Sequence, residues 1–170
     1  MTVGGGPALL HGLPPILDVG VRILILGSFP SPASLAAEHY YAHRQNQFWR
    51  LLGVLLCEPL PVLDYADKQR SLLKHHIGIW DAYRQCRRQG ALDAAIQSAE
   101  VNDFLRLREE APQLQRICFN GRTAGKFAVW FQKAGYQTIV LPSTSPAYTL
   151  AFERKVEFWR AAGLGEMAPD

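Results

Sequence analysis

Cysteine is scarce: Cys57, Cys86 and Cys118 are the whole supply, an odd number, widely spaced and without a CxxC pair. This argues against a disulfide framework, offers no zinc or iron–sulfur ligand set, and fits a reducing compartment, taken here as the cytoplasm. Nowhere do about 18 apolar residues follow one another, and MTVGGGPALLHGLPPI has no basic stretch leading into an unbroken apolar run. A soluble, unprocessed protein with no membrane association is expected. An excess of charge is lacking too. The 18 Lys and Arg residues against 15 Asp and Glu leave a net charge of +3, compatible with a polyanionic partner and equally with many cytosolic enzymes. Several nucleotide and hydrolase signatures are missing: GSFPSPAS lacks the GxGxxG of a dinucleotide site, the GxxxxGK[ST] of a P-loop and the GxSxG of an α/β-hydrolase elbow. His39 and His43 are four residues apart, but no HExxH-type carboxylate accompanies them, so neither metal nor cofactor is expected.

What is present is enough for one compact domain, expected to span 1–170 after an irregular lead-in over 1–12: 170 residues, 48% of them hydrophobic. Beyond residues 1–20, rich in Gly and Pro, Val21–Leu26 (VRILIL) is a short apolar run that predicts a buried parallel strand. The spacing then predicts helices near Leu35, over Phe48–Leu56 with Trp49, Leu52 and Leu56 inward, and over Tyr65–Lys74. Ile77–Trp80 predicts a second strand, and Asn102 is placed to cap a helix through Arg108. Arg116–Phe119 and Thr138–Leu141 complete a set of four strands, with helices at Lys126–Ala134 and Phe152–Ala162. Strands alternating with helices imply an α/β fold, a three-layer sandwich around a central four-stranded parallel sheet. Each strand runs into a polar loop, at GSFPS, Asp81, Asn120 and PSTSP. In open α/β sheets the ligand crevice lies beyond the carboxyl ends of the strands, so these four loops should meet at one site.

The chemistry of the loops is of two kinds. GSFPSPAS and PSTSPAYT combine hydroxyls, free backbone N–H groups and rigid prolines, suited to gripping phosphates, although each could be an ordinary turn-rich connector. The run HYYAHRQNQFW (His39–Trp49) packs aromatics around an Asn. Tyr40, Tyr41 and Phe48 could offer a stacking surface to a planar ring, while Trp49 reads as core and Asn46 could simply start a helix. Asn120-Gly121 is equally compatible with a plain turn.

Taken together, GSFPSPAS, YYAHRQNQFW, GIWD, FNG and LPSTSPA, in this order and spacing, resemble the uracil-DNA glycosylase superfamily, and within it the hypoxanthine-DNA glycosylase branch. The resemblance runs from about Leu13 to Trp159. It implies DNA as substrate, base excision without a metal or cofactor, and a part in DNA repair. In the superfamily the loop after the first strand usually carries a catalytic Asp or Asn two residues after its Gly. Here that position is Phe29, which cannot orient or activate water. The resemblance shifts the catalytic role to Asn46, within NQFW. It also implies that Phe48 stacks on the extruded base and that Pro142–Ala147 presses into the DNA and holds phosphates. Two positions depart from the branch: Arg44 stands where Pro commonly precedes the QN pair, and Tyr148 where Asn or His commonly follows SPA. They bear on base preference and on the wedge that replaces the flipped nucleotide.

A glycosylase must rotate its nucleotide out of the duplex and break a C–N bond through an oxocarbenium-like sugar. The expected phosphate clamp and wedge comprise Gly27, Ser28, Pro30, Ser31, Ser143, Ser145, Pro146, Ala147 and Tyr148. Phe29, Tyr41 and Phe48 are expected to stack on the base, Asp81 and Asn120 to bond its edge, and Asn46 to place water as a neutral amide. No Lys occupies an equivalent loop position, which argues for a monofunctional enzyme without a Schiff-base lyase step; a monomer is expected. Three other functions fit the same residues: excision of uracil or of mismatched bases at G·T or G·U, non-catalytic binding of damaged DNA, and hydrolysis of a free nucleoside.

Overall fold

A computed structural model describes residues 5–166 of the chain. Its main sheet is built from β2 (Ile23–Gly27), β3 (Ile77–Asp81), β6 (Arg116–Asn120) and β7 (Gln137–Leu141). The four strands are parallel and stand in the order β3-β2-β6-β7. The predicted three-layer α/β sandwich is therefore the fold. Successive side chains of a strand point to opposite faces, and β2 shows the consequence. Ile23 and Ile25 join one core with Leu51, Leu52 and Leu55 of α2 (Phe48–Leu56), Leu72 of α3 (Tyr65–Lys74) and Trp159 of α7 (Phe152–Ala161). Leu24 and Leu26 join a second core with Leu107 of α4 (Leu107–Glu110), Ala124 of α5 (Arg122–Gly125) and Phe131 of α6 (Ala128–Lys133). Trp49, Leu52 and Leu56 are all buried, as the helical spacing predicts.

Several elements differ from the sequence reading. The lead-in is ordered in part: β1 (Leu9–His11) pairs antiparallel with β4 (Tyr83–Arg87), which pairs with β5 (Gln97–Val101) in a second, three-stranded sheet. Residues 1–4 of the expected irregular stretch lie outside the described residues. Asn102 caps no helix. Its Nδ2 donates to the Asp81 carbonyl at 2.8 Å, and Asp103 supplies the cap instead, accepting from the Leu105 N–H at 3.1 Å. The helix expected over Lys126–Ala134 is α6, shorter at both ends and preceded by a separate short helix, α5, that ends before it, and α1 (Pro32–Ala37) begins three residues earlier than its sequence cue, capped by the Ser31 hydroxyl.

The lead-in is bound to the main sheet by a close backbone approach. Ile16 and Ile79 exchange both N–H···O bonds, at 2.8 and 3.0 Å. That approach requires Gly78, because a Cβ there would lie 2.7 Å from the Ile16 carbonyl oxygen. Gly78→Ala is expected to lower unfolding free energy by about 1–3 kcal/mol, the usual scale of overpacking, read from urea denaturation.

Candidate active site

Beyond the carboxyl ends of β2, β3 and β6 lies a cavity of about 350 Å³. That is the scale of a pocket for one small planar group. It is built from the bottom of the sheet outward. Gly27 ends β2, Asp81 ends β3 and Asn120 ends β6, and all three line it. Around this floor stand Ser28, Phe29, Pro30 and Ser31 from the loop after β2, Tyr41 and Asn46 from the segment before α2, and Ser143, Ser145, Ala147 and Tyr148 from the loop after β7. The four strand-end loops thus meet, as the topology predicts.

Two expected site residues lie elsewhere. Pro146 is not part of the lining, and Phe48 is completely buried behind it. The Tyr41 ring lies parallel to Phe48, with centroids 3.9 Å apart, and covers the face that was expected to meet a base. Tyr41 is therefore the ring that the cavity sees. It is held there at some cost, since its φ of 54° is left-handed, a conformation that costs a non-glycine residue on the order of 1–3 kcal/mol. The sequence also gave no sign of a roof. Ala91, Leu92, Asp93 and Ala94, between β4 and β5, line the cavity, and the Ser28 hydroxyl donates to Asp93 Oδ1 at 2.7 Å. The clamp hydroxyls are likewise partnered within their loops. Ser31 Oγ caps α1, Ser143 Oγ accepts from the Ser145 N–H at 3.1 Å, and Ser145 Oγ accepts from the Ala147 N–H at 3.2 Å.

The two amides are held differently. A backbone N–H can only donate, so the 3.0 Å bond from the Thr144 N–H fixes Oδ1 of Asn120 as acceptor. Its Nδ2 is then the group turned to the Tyr41 hydroxyl, at 3.1 Å, and to Thr144 Oγ1, at 3.0 Å. Both N–H groups of Asn120 are thereby engaged within the protein. Asn46 accepts from the Phe48 N–H through Oδ1 at 2.9 Å, so it does cap α2, and its Nδ2 has no partner among the described residues. His39 stacks on Tyr65, with centroids 3.9 Å apart, while His43 lines the cavity.

The loop after β7 is fastened from below by α7. Trp159 Nε1 donates to the Pro142 carbonyl at 2.9 Å, and the buried Lys155 Nζ donates to the Tyr148 carbonyl at 2.8 Å.

Asp81 is the unusual acid of the site. It is 5% exposed, and Oδ2 is buried without a hydrogen-bond partner. Burial, reinforced by the nearby Asp93 charge and opposed by Arg88, pushes its carboxyl up to about 7. The unfolded chain ionises this group near the ordinary carboxylate value while the folded chain holds it neutral. Stability is thus lost as pH rises from about 4 to about 7. Asp81→Asn is expected to gain stability over the parent across that window, by on the order of a few kcal/mol. Urea denaturation of both proteins at about pH 5 and about pH 8 reads the difference, and equal gaps at the two values would show that Asp81 is ionised throughout.

The model of the uracil DNA glycosylase superfamily matches residues 14–163. A hypoxanthine DNA glycosylase of Methanosarcina acetivorans is 41% identical over 151 residues, which covers 89% of this chain and 96% of the relative. A hypoxanthine DNA glycosylase of Methanosarcina barkeri is 36% identical over 152 residues, with the same coverage. Among solved structures, the solution NMR structure of a Methanosarcina acetivorans protein named as a candidate uracil DNA glycosylase superimposes with a TM-score of 0.83 at 40% identity, covering 91% of this chain and 96% of that one. With the family model spanning nearly the whole chain and relatives this similar, the chain belongs to the uracil DNA glycosylase superfamily.

Proposed function

We propose that this chain is a monofunctional DNA glycosylase that hydrolyses the N-glycosidic bond of hypoxanthine flipped out of DNA, as a monomer and without a metal. The observation that carries this reading is the cavity: one base-sized pocket, walled by an aromatic ring, with an amide whose N–H groups are free at its side. The relatives named above point to the same substrate.

Each part has a task that its geometry supports. Extrusion of a base costs a few kcal/mol, least where pairing is already weak, and that cost is offset by contacts the flipped nucleotide makes. The Tyr41 ring, backed by Phe48, offers a flat face, and Phe29 adds apolar wall. Ser28, Ser31, Ser143 and Ser145, with Pro30, line the cavity and are the groups to meet the sugar–phosphate strand. Asn46 holds water near the anomeric carbon. A neutral amide does this by position alone, which suits a site whose usual catalytic place is filled by Phe29.

Purified protein incubated under single-turnover conditions, with EDTA, on end-labelled duplexes containing hypoxanthine, uracil or a G·T mismatch tests the reading. Alkali-labile sites should form fastest at hypoxanthine. Abasic product at uracil or thymine alone would replace the substrate, and none on any duplex would leave binding of damaged DNA as the better account. Asn46→Ala should slow cleavage about 10²-fold or more with duplex affinity retained. Asn46→Ser keeps a capping oxygen and is too short to hold water, so it should be equally slow. Full activity in Asn46→Ser would reduce Asn46 to a helix cap.

A further inference from the structure

The roles assigned above leave one buried group without work. Asp81 lies on the cavity floor, nine-tenths or more buried, and its Oδ2 has no partner. An uncompensated carboxyl in such a place is costly, and sites keep such groups where chemistry uses them. Room has been made for this one: a Cβ on Gly27 would lie 2.5 Å from Asp81 Oδ1 and 3.1 Å from the Tyr41 hydroxyl oxygen. A purine in the cavity offers this carboxyl a partner. Its N7 is an acceptor, and as the bond from C1′ to N9 breaks the electron pair enters the ring and makes N7 more basic. Uracil has no counterpart to N7.

We propose that Asp81, as the neutral carboxylic acid, is the general acid of purine excision, passing its proton to N7 of the flipped base as the glycosidic bond breaks. This rests on the reading of hypoxanthine as substrate. In the step, the C1′–N9 pair goes to the purine, the Asp81 O–H bond is exchanged for N7–H, and hypoxanthine leaves neutral. Water at Asn46 then bonds through oxygen to the sugar cation at C1′, and its surplus proton returns through solvent to the Asp81 carboxylate. Asp93 from the roof, Arg88 at the end of β4, Tyr40 and Tyr41 before α2, and Tyr65 of α3 are the ionisable groups around Asp81. Burial dominates their combined effect and keeps the acid protonated to about pH 7. Rate is therefore present below that pH and lost above it. His43 also lines the cavity, so a titration must be assigned by substitution.

The experiment is a pH series of single-turnover rates for the parent, Asp81→Asn, Asp81→Ala and His43→Gln, on duplexes carrying hypoxanthine or 7-deazahypoxanthine. The parent rate on hypoxanthine should be level at acid pH and fall about tenfold per unit above about pH 7. Both Asp81 variants should be slower by about 10–10²-fold at about pH 6 and should lose that limb, while His43→Gln keeps it. On the 7-deaza base, which has no N7 to protonate, parent and Asp81→Asn should be equal. Since Asp81→Asn is expected to be the more stable protein, its loss of rate cannot come from unfolding. A limb that survives in Asp81→Asn, or the same loss on both bases, would overturn the proposal while leaving hypoxanthine as substrate. Failure of the parent to release hypoxanthine at all would overturn both.

Discussion

The site depends on one completely buried threonine. Thr144 donates its N–H to Asn120 Oδ1 and accepts Asn120 Nδ2 on Oγ1, and its carbonyl accepts the Gln47 N–H at 3.0 Å. Those bonds join the end of β6, the loop after β7 and the start of α2, the segment that carries Asn46. Loops have little packing of their own to hold them, so a satisfied buried polar network is what turns three of them into one rigid wall. The same network is unforgiving: a partner removed from a buried N–H costs about 1–3 kcal/mol. Lys155 and Trp159 of α7 extend the support by holding the carbonyls of the same loop from beneath.

This arrangement explains how a member of the superfamily can manage with phenylalanine in the usual catalytic position. Asn46 is set next to the pocket by its own bond to the Phe48 N–H, at the start of a helix whose other face is solid core. The amide that caps the helix is thereby fixed in place, which matters more for holding water than basicity does. A neutral amide for water and a neutral acid for the leaving base form a pair free of mutual repulsion, in a pocket from which charge is disfavoured by burial.

The parallel sheet was legible because its strands read as apolar runs: VRILIL, IGIW and RICF belong to strands buried on both faces over most of their length, while TIVL keeps the apolar run at the sheet edge, where only Leu141 is fully buried. The second sheet was not, for the opposite reason. QSAEV is exposed along its whole length, and YRQCR buries only Cys86 fully, so neither segment carries a period that sequence reading can detect. The roof over the cavity, with Asp93, comes from the connection between those two strands and was lost with them. Among site residues, the two Ser/Pro loops and Asn46 stood out by chemistry. Phe48 was misplaced because an aromatic at a helix start looks the same whether it faces a ligand or lies beneath a second ring. Thr144 was one hydroxyl among several, and only its burial and three backbone and side-chain bonds set it apart.

Amide hydrogen exchange in Asn120→Ala tests most directly whether the site is a single assembly. The substitution removes the acceptor of the Thr144 N–H and leaves the acceptor of the Gln47 N–H, the Thr144 carbonyl, chemically intact. If the loops are held as one network, protection should fall at Thr144 and at Gln47 together. Loss at Thr144 with Gln47 protected as in the parent would contradict the account, showing that the segment carrying Asn46 is positioned independently of the end of β6.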